Sequence, residues 1–226
     1  YRVYNKAKHF VNHKGGFLME KNLTTGSVLK NILFFSLPYL FSYFLQTLYG
    51  MADLFIIGQF EGVAATTAVS IGSQVMHMLT VMIVGLAMGT TVSIAQAIGA
   101  NKKDDAAAAT GNTVTLFLIL SVCLTGALLC VIRPITVIMS VPEEAVSGTI
   151  AYLTICFIGI PFITAYNIIS SIFRGMGDSK SPMYFIAVAC VANIILDYIF
   201  IGLCHFGPAG AALGTTVSQA ISVIVS

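Results

Sequence analysis

Long apolar stretches separated by short polar clusters make up the chain from about residue 31 onward. Every stretch except the last exceeds the roughly 20 residues that a helix needs to cross about 30 Å of hydrocarbon. The alternating polarity of membrane strands is absent. The pattern therefore predicts an all-α membrane protein, a six-transmembrane-helix bundle with spans near residues 31–60, 63–98, 106–132, 145–173, 182–203 and 209–226.

Composition supports a membrane location. Only 9% of the residues are charged and 57% are hydrophobic, with a mean hydropathy of +0.91. A soluble domain carries roughly 25% charged residues, so too few polar side chains remain here to cover a globule in water. The five cysteines lie in or beside apolar stretches without CxxC or metal-like spacing, and we interpret them as small buried hydrophobic residues.

Basic residues fall almost entirely on one side of this topology. With a cytoplasmic N-terminus, Arg133 is the one basic residue of eleven outside the membrane, as the positive-inside rule expects. The inner residues are Arg2, Lys6, Lys8, Lys14, Lys21, Lys30, Lys102, Lys103, Arg174 and Lys180. We therefore predict a multi-pass protein of the bacterial cytoplasmic membrane with its N-terminus inside.

The two ends of the chain differ from its apolar middle. Residues 1–27 form a basic segment that we predict to be cytoplasmic, ahead of a six-helix lobe over residues 28–226. Residues 1–18 lack periodicity and precede Met19, so one hypothesis is a non-native upstream extension, and the alternative is a genuine basic tail. The sequence stops inside its sixth apolar stretch, which predicts a truncated helix or half of a repeated architecture.

Two of the nine acidic residues, Asp53 and Asp197, lie within predicted spans. A charge at the membrane centre costs about 2.5–3.5 kcal/mol on insertion scales, so such a carboxylate is a functional-site hypothesis. At about 1.5 Å per residue from the predicted outer ends, Asp53, Asp197 and Thr215 lie about 7.5, 9 and 10 Å inward. Asn193 shares the helix face of Asp197 because it lies four residues earlier.

These four residues predict a cation site. Two carboxylates that face one cavity repel each other, and burial disfavours their charged forms. Sharing a proton or a sodium ion relieves both costs, and carboxylate, amide and hydroxyl oxygens suit a hard cation such as sodium. Gln46 and Tyr49 continue a polar stripe along the helix of Asp53. The alternative is that each polar side chain only bonds a neighbouring helix, and His77 we interpret as a packed or cavity-facing residue.

Four segments of the sequence resemble the N-terminal half of the multidrug and toxic compound extrusion (MATE) family. They are SLPYLFSYFLQTLYGMADLFIIGQF, GLAMGTTVSIAQAIGA, SIFRGMGDSKSP and NIILDYIFIGLCHFGPAGAALGTTVSQ, in this order and spacing. The resemblance implies one six-helix lobe of a twelve-helix transporter. It also implies an ion site at Asp53, Asn193, Asp197 and Thr215, further cavity residues at Tyr152 and Asn167, and a helix bend at Pro38.

The function that this resemblance implies is export of organic, often cationic, drug-like compounds in exchange for sodium or protons, by alternating access. The implied partners are the lipid bilayer and a second six-helix lobe, with no nucleic acid, no enzymatic activity and no cofactor beyond the coupling ion. A lipid or lipid-linked oligosaccharide flippase of the same superfamily is the alternative. A remote one is an intramembrane aspartyl protease, because Gly175–Asp178 reads GMGD and matches its GxGD signature.

Overall fold

The computed structural model describes residues 26–226, and the predictions made for residues 1–25 lie outside this range. Eight α-helices follow one another: α1 Val28–Phe60, α2 Val63–Gly99, α3 Lys103–Cys130, α4 Ile132–Ile138, α5 Glu143–Ile158, α6 Ile160–Gly175, α7 Lys180–Asp197 and α8 Gly207–Val225. A π-helical turn, Tyr198–Leu203, continues α7. No strand occurs within these residues.

Five helical segments of this range are long and apolar enough to span a membrane, and α5 with α6 supplies a sixth as one bent span. The predicted fold class is therefore confirmed. The helix α1 shows why a membrane is required, because its only buried residues are Ser42, Asp53, Ile56 and Ile57. Many of its leucine and phenylalanine side chains are exposed. Their contact with water would be unfavourable, so lipid or another apolar surface must cover them.

The fourth predicted span is broken, whereas the sequence pattern predicted a continuous helix over residues 145–173. The helices α5 and α6 meet at Gly159 with a bend of 48°. Pro161 lacks the backbone N–H that would bond to the carbonyl of Phe157. That carbonyl instead accepts a hydrogen bond from the Thr125 hydroxyl at 3.1 Å, so a side chain of α3 compensates for the interrupted ladder.

The third and fifth spans also end differently from the prediction. The helix α3 stops at Cys130, and the short α4 with Arg133 and Pro134 follows it. The fifth span stays helical to Leu203, but its last six residues form the π-helical turn. This turn packs closely on its neighbours, since a Cβ added at Gly210 of α8 would lie 3.0 Å from the carbonyl oxygen of Phe200.

The bundle has α7 between α1 and α8, while α2 packs on α5 and α6, and α3 packs on α2 and α6. The main buried cluster joins α1, α2, α5, α6 and α8 around Ile57, Val69, Tyr152, Phe157 and Ala212. We call the end with the loops at residues 100–102 and 176–179 the basic end, because Lys102, Lys103 and Lys180 lie there. The opposite end carries residues 61–62, 139–142 and 204–206.

The helix directions lead to a labelling test of orientation. If the basic end is cytoplasmic, the native Cys204, which is exposed at the opposite end, should react in intact cells with a membrane-impermeant maleimide. A cysteine at Lys103 should react only after the cells are opened. In a Lys103→Cys variant that also carries Cys204→Ser, labelling at position 103 in intact cells would contradict the topology that the positive-inside rule predicts.

Candidate cation site

Three helices bring four polar residues together inside the bundle. Asp53 lies near the end of α1, Asn193 and Asp197 lie in the last turns of α7, and Thr215 lies in α8. Asp53 is 4% exposed, and both Asn193 and Asp197 are 0% exposed. We call these four residues the acid cluster; the structure thus places the predicted ion-site residues at one location.

The hydrogen bonds of the acid cluster are incomplete. The Thr215 hydroxyl donates a hydrogen bond to Oδ2 of Asp53 at 3.2 Å. Asp197 and Asn193 lie close enough to interact with the side chain of Asp53. Yet Oδ1 of Asp53, both carboxylate oxygens of Asp197 and both polar atoms of Asn193 are buried without a hydrogen-bond partner of normal geometry. Such buried groups are costly unless a ligand or a proton satisfies them.

A glycine makes room for the second carboxylate. A Cβ added at Gly214, the residue before Thr215, would collide with Oδ1 of Asp197 and lie 3.1 Å from its Cγ. The helix α8 can therefore approach α7 closely enough for Thr215 to reach Asp53 while Asp197 stays between the two helices. Gly214 was not among the residues predicted from the sequence, although its position beside the candidate ligand Thr215 was a signal.

A cavity of about 680 Å³ opens beside the acid cluster. Asp53 and Thr215 lie on its surface, whereas Asn193 and Asp197 lie behind them. The predicted cavity residues Gln46, Tyr49, Tyr152 and Asn167 all line it. Asn167 is held in place there because its amide donates a hydrogen bond to the carbonyl of Ile163 at 2.8 Å. Asp53 is thus shared between the acid cluster and the cavity.

The helix α2 supplies a polar wall that the sequence analysis largely missed. Ser73, Gln74, His77 and Thr80 face the cavity, and their spacing along the helix could have indicated one polar face. His77 therefore has the cavity-facing position that was one of its two interpretations. Gln219, one turn after Thr215, also lines the cavity, and its Oε1 is buried without a partner.

Two other residues that the sequence singled out lie away from the acid cluster. Pro38 is inside α1, and its carbonyl accepts a hydrogen bond from the Ser42 hydroxyl at 2.8 Å. Asp178 lies in the loop before α7, where its carboxylate accepts hydrogen bonds from the backbone of Lys180 and Ser181. Asp178 and Asp197 therefore lie at the two ends of α7, roughly 27 Å apart along the helix, and no protease-like pair forms.

The donor set suits a monovalent hard cation or a proton. Within residues 26–226, three or more histidine, cysteine, aspartate or glutamate side chains are nowhere grouped so that they could hold a metal ion. The acid cluster instead offers two carboxylates, one amide and one hydroxyl, and oxygen ligands of this kind suit hard ions. Two adjacent buried carboxylates can also share one proton, which removes their mutual repulsion.

The MatE family model matches residues 38–199 of the chain, and the chain therefore belongs to that family. It is 33% identical over 203 residues to the probable multidrug resistance protein YpnP of Bacillus subtilis. It is 29% identical over 201 residues to the probable multidrug resistance protein NorM of Thermotoga maritima. A solved structure described as MATE in the bent conformation superposes with a TM-score of 0.83 at 32% identity.

These matches cover most of this chain and less than half of each relative. The shares are 90% of this chain and 46% of YpnP, 85% and 42% for NorM, and 88% and 44% for the solved structure. The chain therefore spans about half the length of the relatives it matches. Its fold is that of one half of a MATE transporter, a multi-pass membrane protein.

The close approach at Gly214 leads to a stability test. Gly214→Ala should lower the free energy of unfolding by about 1–3 kcal/mol, because the new methyl group overpacks a site where Asp197 cannot move into solvent. Gly85→Ala in α2 is the matched control, since its Cβ would have no neighbour within 4 Å. Thermal unfolding in detergent measures both variants, and equal melting temperatures would contradict the proposed packing of Gly214 on Asp197.

Proposed function

We propose that the chain works as one lobe of a cation-coupled antiporter that exports organic, drug-like compounds. The observation that carries this proposal is the acid cluster, with its unpartnered buried oxygens, at the edge of a cavity in a chain of the MatE family. Membership of the MatE family supports a role in transport, whatever the substrate. The acid cluster supports coupling of that transport to sodium or protons. The chain is accordingly proposed to have no enzymatic role.

The coupling ion would bind where the buried carboxylates need charge compensation. Asp53 and Asp197 are neighbours inside the protein, and two ionised carboxylates at such a place are unstable without a cation. Sodium could take oxygens from Asp53, Asp197, Asn193 and Thr215. A proton shared by the two acids would provide the same compensation. We propose that the two ions compete for the acid cluster.

The cavity supports a cationic and aromatic substrate class. Four tyrosines, Tyr43, Tyr49, Tyr152 and Tyr166, contribute to its lining, and aromatic faces attract organic cations. Among the described residues that line it, Asp53 is the one carboxylate, and neither lysine nor arginine is present. A lipid phosphate would need such basic groups for recognition, so the cavity favours drug-like cations over the flippase alternative.

Transport would follow from competition between substrate and ion. Binding of sodium or protons at the acid cluster would remove the negative charge that holds a cationic substrate, and the substrate would leave on the outer side. Pro38 interrupts the hydrogen-bond ladder of α1 and is the proposed position at which that helix bends. Alternation between inward and outward access would then involve movement of α1.

The length of the relatives indicates the proposed partner of this lobe. We propose that a second six-helix lobe completes the transporter, because the matched relatives are about twice as long as the matched segment. The apolar exposed surface of α1 and α2 would contact lipid or this lobe. Residues 1–27 would lie in the cytoplasm of a bacterial cell, and residues 28–226 would cross its membrane.

The first test removes the charge of the acid cluster in a two-lobe transporter that contains this lobe. Asp197→Asn and Asp53→Asn should each abolish export of ethidium against its gradient, because an amide cannot exchange a proton or balance sodium. The double variant should be little worse than either single variant, since the two acids act as one unit. Ethidium efflux from loaded cells measures the rates.

Asp105→Asn is the matched control for this test. Asp105 is exposed, and among residues 26–226 its ion pair is with the exposed Lys102 at 4.0 Å, a contact that contributes little to stability. The Asp105→Asn variant should therefore export ethidium at the rate of the unsubstituted transporter. Wild-type efflux by both acid-cluster variants would show that Asp53 and Asp197 are structural and that the proposed coupling is wrong.

The second test distinguishes sodium from protons in the purified chain. Thr215→Ala removes one oxygen and the hydrogen bond to Asp53 without changing charge. If sodium binds, this variant should lose most of the sodium-dependent rise in melting temperature that the unsubstituted chain shows. Thr115→Ala is the control, because Thr115 is an exposed residue whose hydroxyl bonds, among the described residues, to the carbonyl of Gly111 within its own helix.

The same measurement shows whether the ions compete. Between pH 6 and pH 8, raising the pH should tighten the apparent sodium affinity, because fewer protons then occupy the shared carboxylates. The absence of any sodium-dependent melting shift across this range would exclude sodium and leave the proton as the coupling ion. A shift that is equal at both pH values would exclude competition.

A further inference from the structure

The side chains of Arg174 and Tyr39 meet at the basic end of the cavity. The guanidinium carbon of Arg174, next to last in α6, lies 5.1 Å from the centre of the Tyr39 ring in α1. This distance is within the range of a cation–π interaction. The guanidinium also donates a hydrogen bond to the Ser171 hydroxyl at 3.2 Å, and its Nε is buried without a partner.

The position of this contact relative to the cavity is set by the helices. The cavity lining of α1 begins at Tyr43, one turn beyond Tyr39, and the lining of α6 ends at Asn167, about two turns before Arg174. Tyr166, which belongs to the lining, lies close enough to interact electrostatically with the guanidinium. The contact therefore lies directly between the cavity and the basic end.

The contact between Arg174 and Tyr39 crosses a gap between the backbones of α1 and α6. Within the described range, the backbones of α1 and α6 do not pack against each other. The contact between Arg174 and Tyr39 therefore bridges two separated helices. It also places a positive charge there, because the arginine forms no ion pair with a carboxylate among residues 26–226.

We propose that Arg174 and Tyr39 form a charged seal that closes this cavity toward the basic end and excludes cations. The planar guanidinium fills the gap by stacking on the ring, and its charge repels a cation that approaches through low-dielectric surroundings. Repulsion of this kind would prevent sodium or an organic cation from leaking past the acid cluster. This last consequence rests on the proposed function, whereas the seal itself does not.

The seal can be tested by access to a cysteine at Gln46, which lines the cavity about two turns beyond Tyr39. The full chain carrying Gln46→Cys is placed in vesicles with the basic end toward the reagent, as shown by protection of Cys204. Cationic and anionic methanethiosulfonates of similar size are added, and mass spectrometry measures labelling at position 46. Without further substitution, the cationic reagent should react slowly.

Arg174→Gln should raise the labelling rate of the cationic reagent about tenfold or more, and that of the anionic reagent much less, because the repelling charge is lost. Arg174→Lys keeps the charge and should stay within about threefold of the parent for the cationic reagent. Lys180→Gln is the control, because this basic residue at the same end is exposed and away from the gap. It should leave both rates unchanged.

A second variant keeps the test valid if Arg174→Gln folds poorly. Tyr39→Leu removes the aromatic face but leaves the arginine, and it should also speed cationic labelling, whereas Tyr39→Phe should not. Access from the opposite end should be unchanged in every variant that folds. Unchanged cationic labelling in both Arg174→Gln and Tyr39→Leu would overturn the seal, and so would an equal rise for both reagents in Arg174→Gln. Neither result depends on whether the acid cluster binds sodium.

Discussion

The structure depends most on the burial of two neighbouring carboxylates inside a membrane-spanning bundle. Asp53 and Asp197 lie at the contact of α1, α7 and α8, with almost no exposure. Removing such groups from water costs several kcal/mol each unless hydrogen bonds or a cation compensate. The Thr215 hydroxyl provides one hydrogen bond to this pair, and most of the remaining acceptor capacity is unused. Two ionised carboxylates at such a site are stable only when a cation or a proton binds to them.

Irregular helix geometry occurs around this site. The π-helical turn begins directly after Asp197, and the bend of the fourth span lies at Gly159, where a Cβ would come within 2.7 Å of Thr216 in α8. The helix α8 is thus packed closely against α5 and α6 at Thr216 and against α7 at Gly214. Because π-turns and kinks at glycine interrupt the regular hydrogen-bond ladder, the acid cluster lies next to the points where the helices of this bundle depart from regular geometry.

The sequence predicted the number of spans well, because each apolar stretch is long and is bounded by polar breakers. It also predicted that Asp53, Asp197 and Thr215 lie at a similar depth in the membrane, because the helical rise per residue converts residue counts into distances. The break at Gly159 was missed because Pro161 lies inside an uninterrupted apolar run, where hydropathy gives no signal. Gly214 and the wall formed by α2 were missed for another reason. The spacing along α2 marks a polar face and Gly214 adjoins Thr215, but single-helix periodicity does not show which helices become neighbours, and both roles depend on that.

Under the proposed function, Asp53 would couple the ion to the substrate directly, since it belongs to both the acid cluster and the cavity lining. A cation in the cavity and an ion in the cluster would share one carboxylate, so each would weaken the binding of the other by the same factor. No relay across the bundle is needed for such an exchange. The arrangement is also polar, with carboxylates toward one end of the cavity and the Arg174 guanidinium toward the other. A cation in the cavity would therefore be drawn toward Asp53 and away from the basic end, and the proposed exchange at the shared carboxylate would occur on one side of the lobe only.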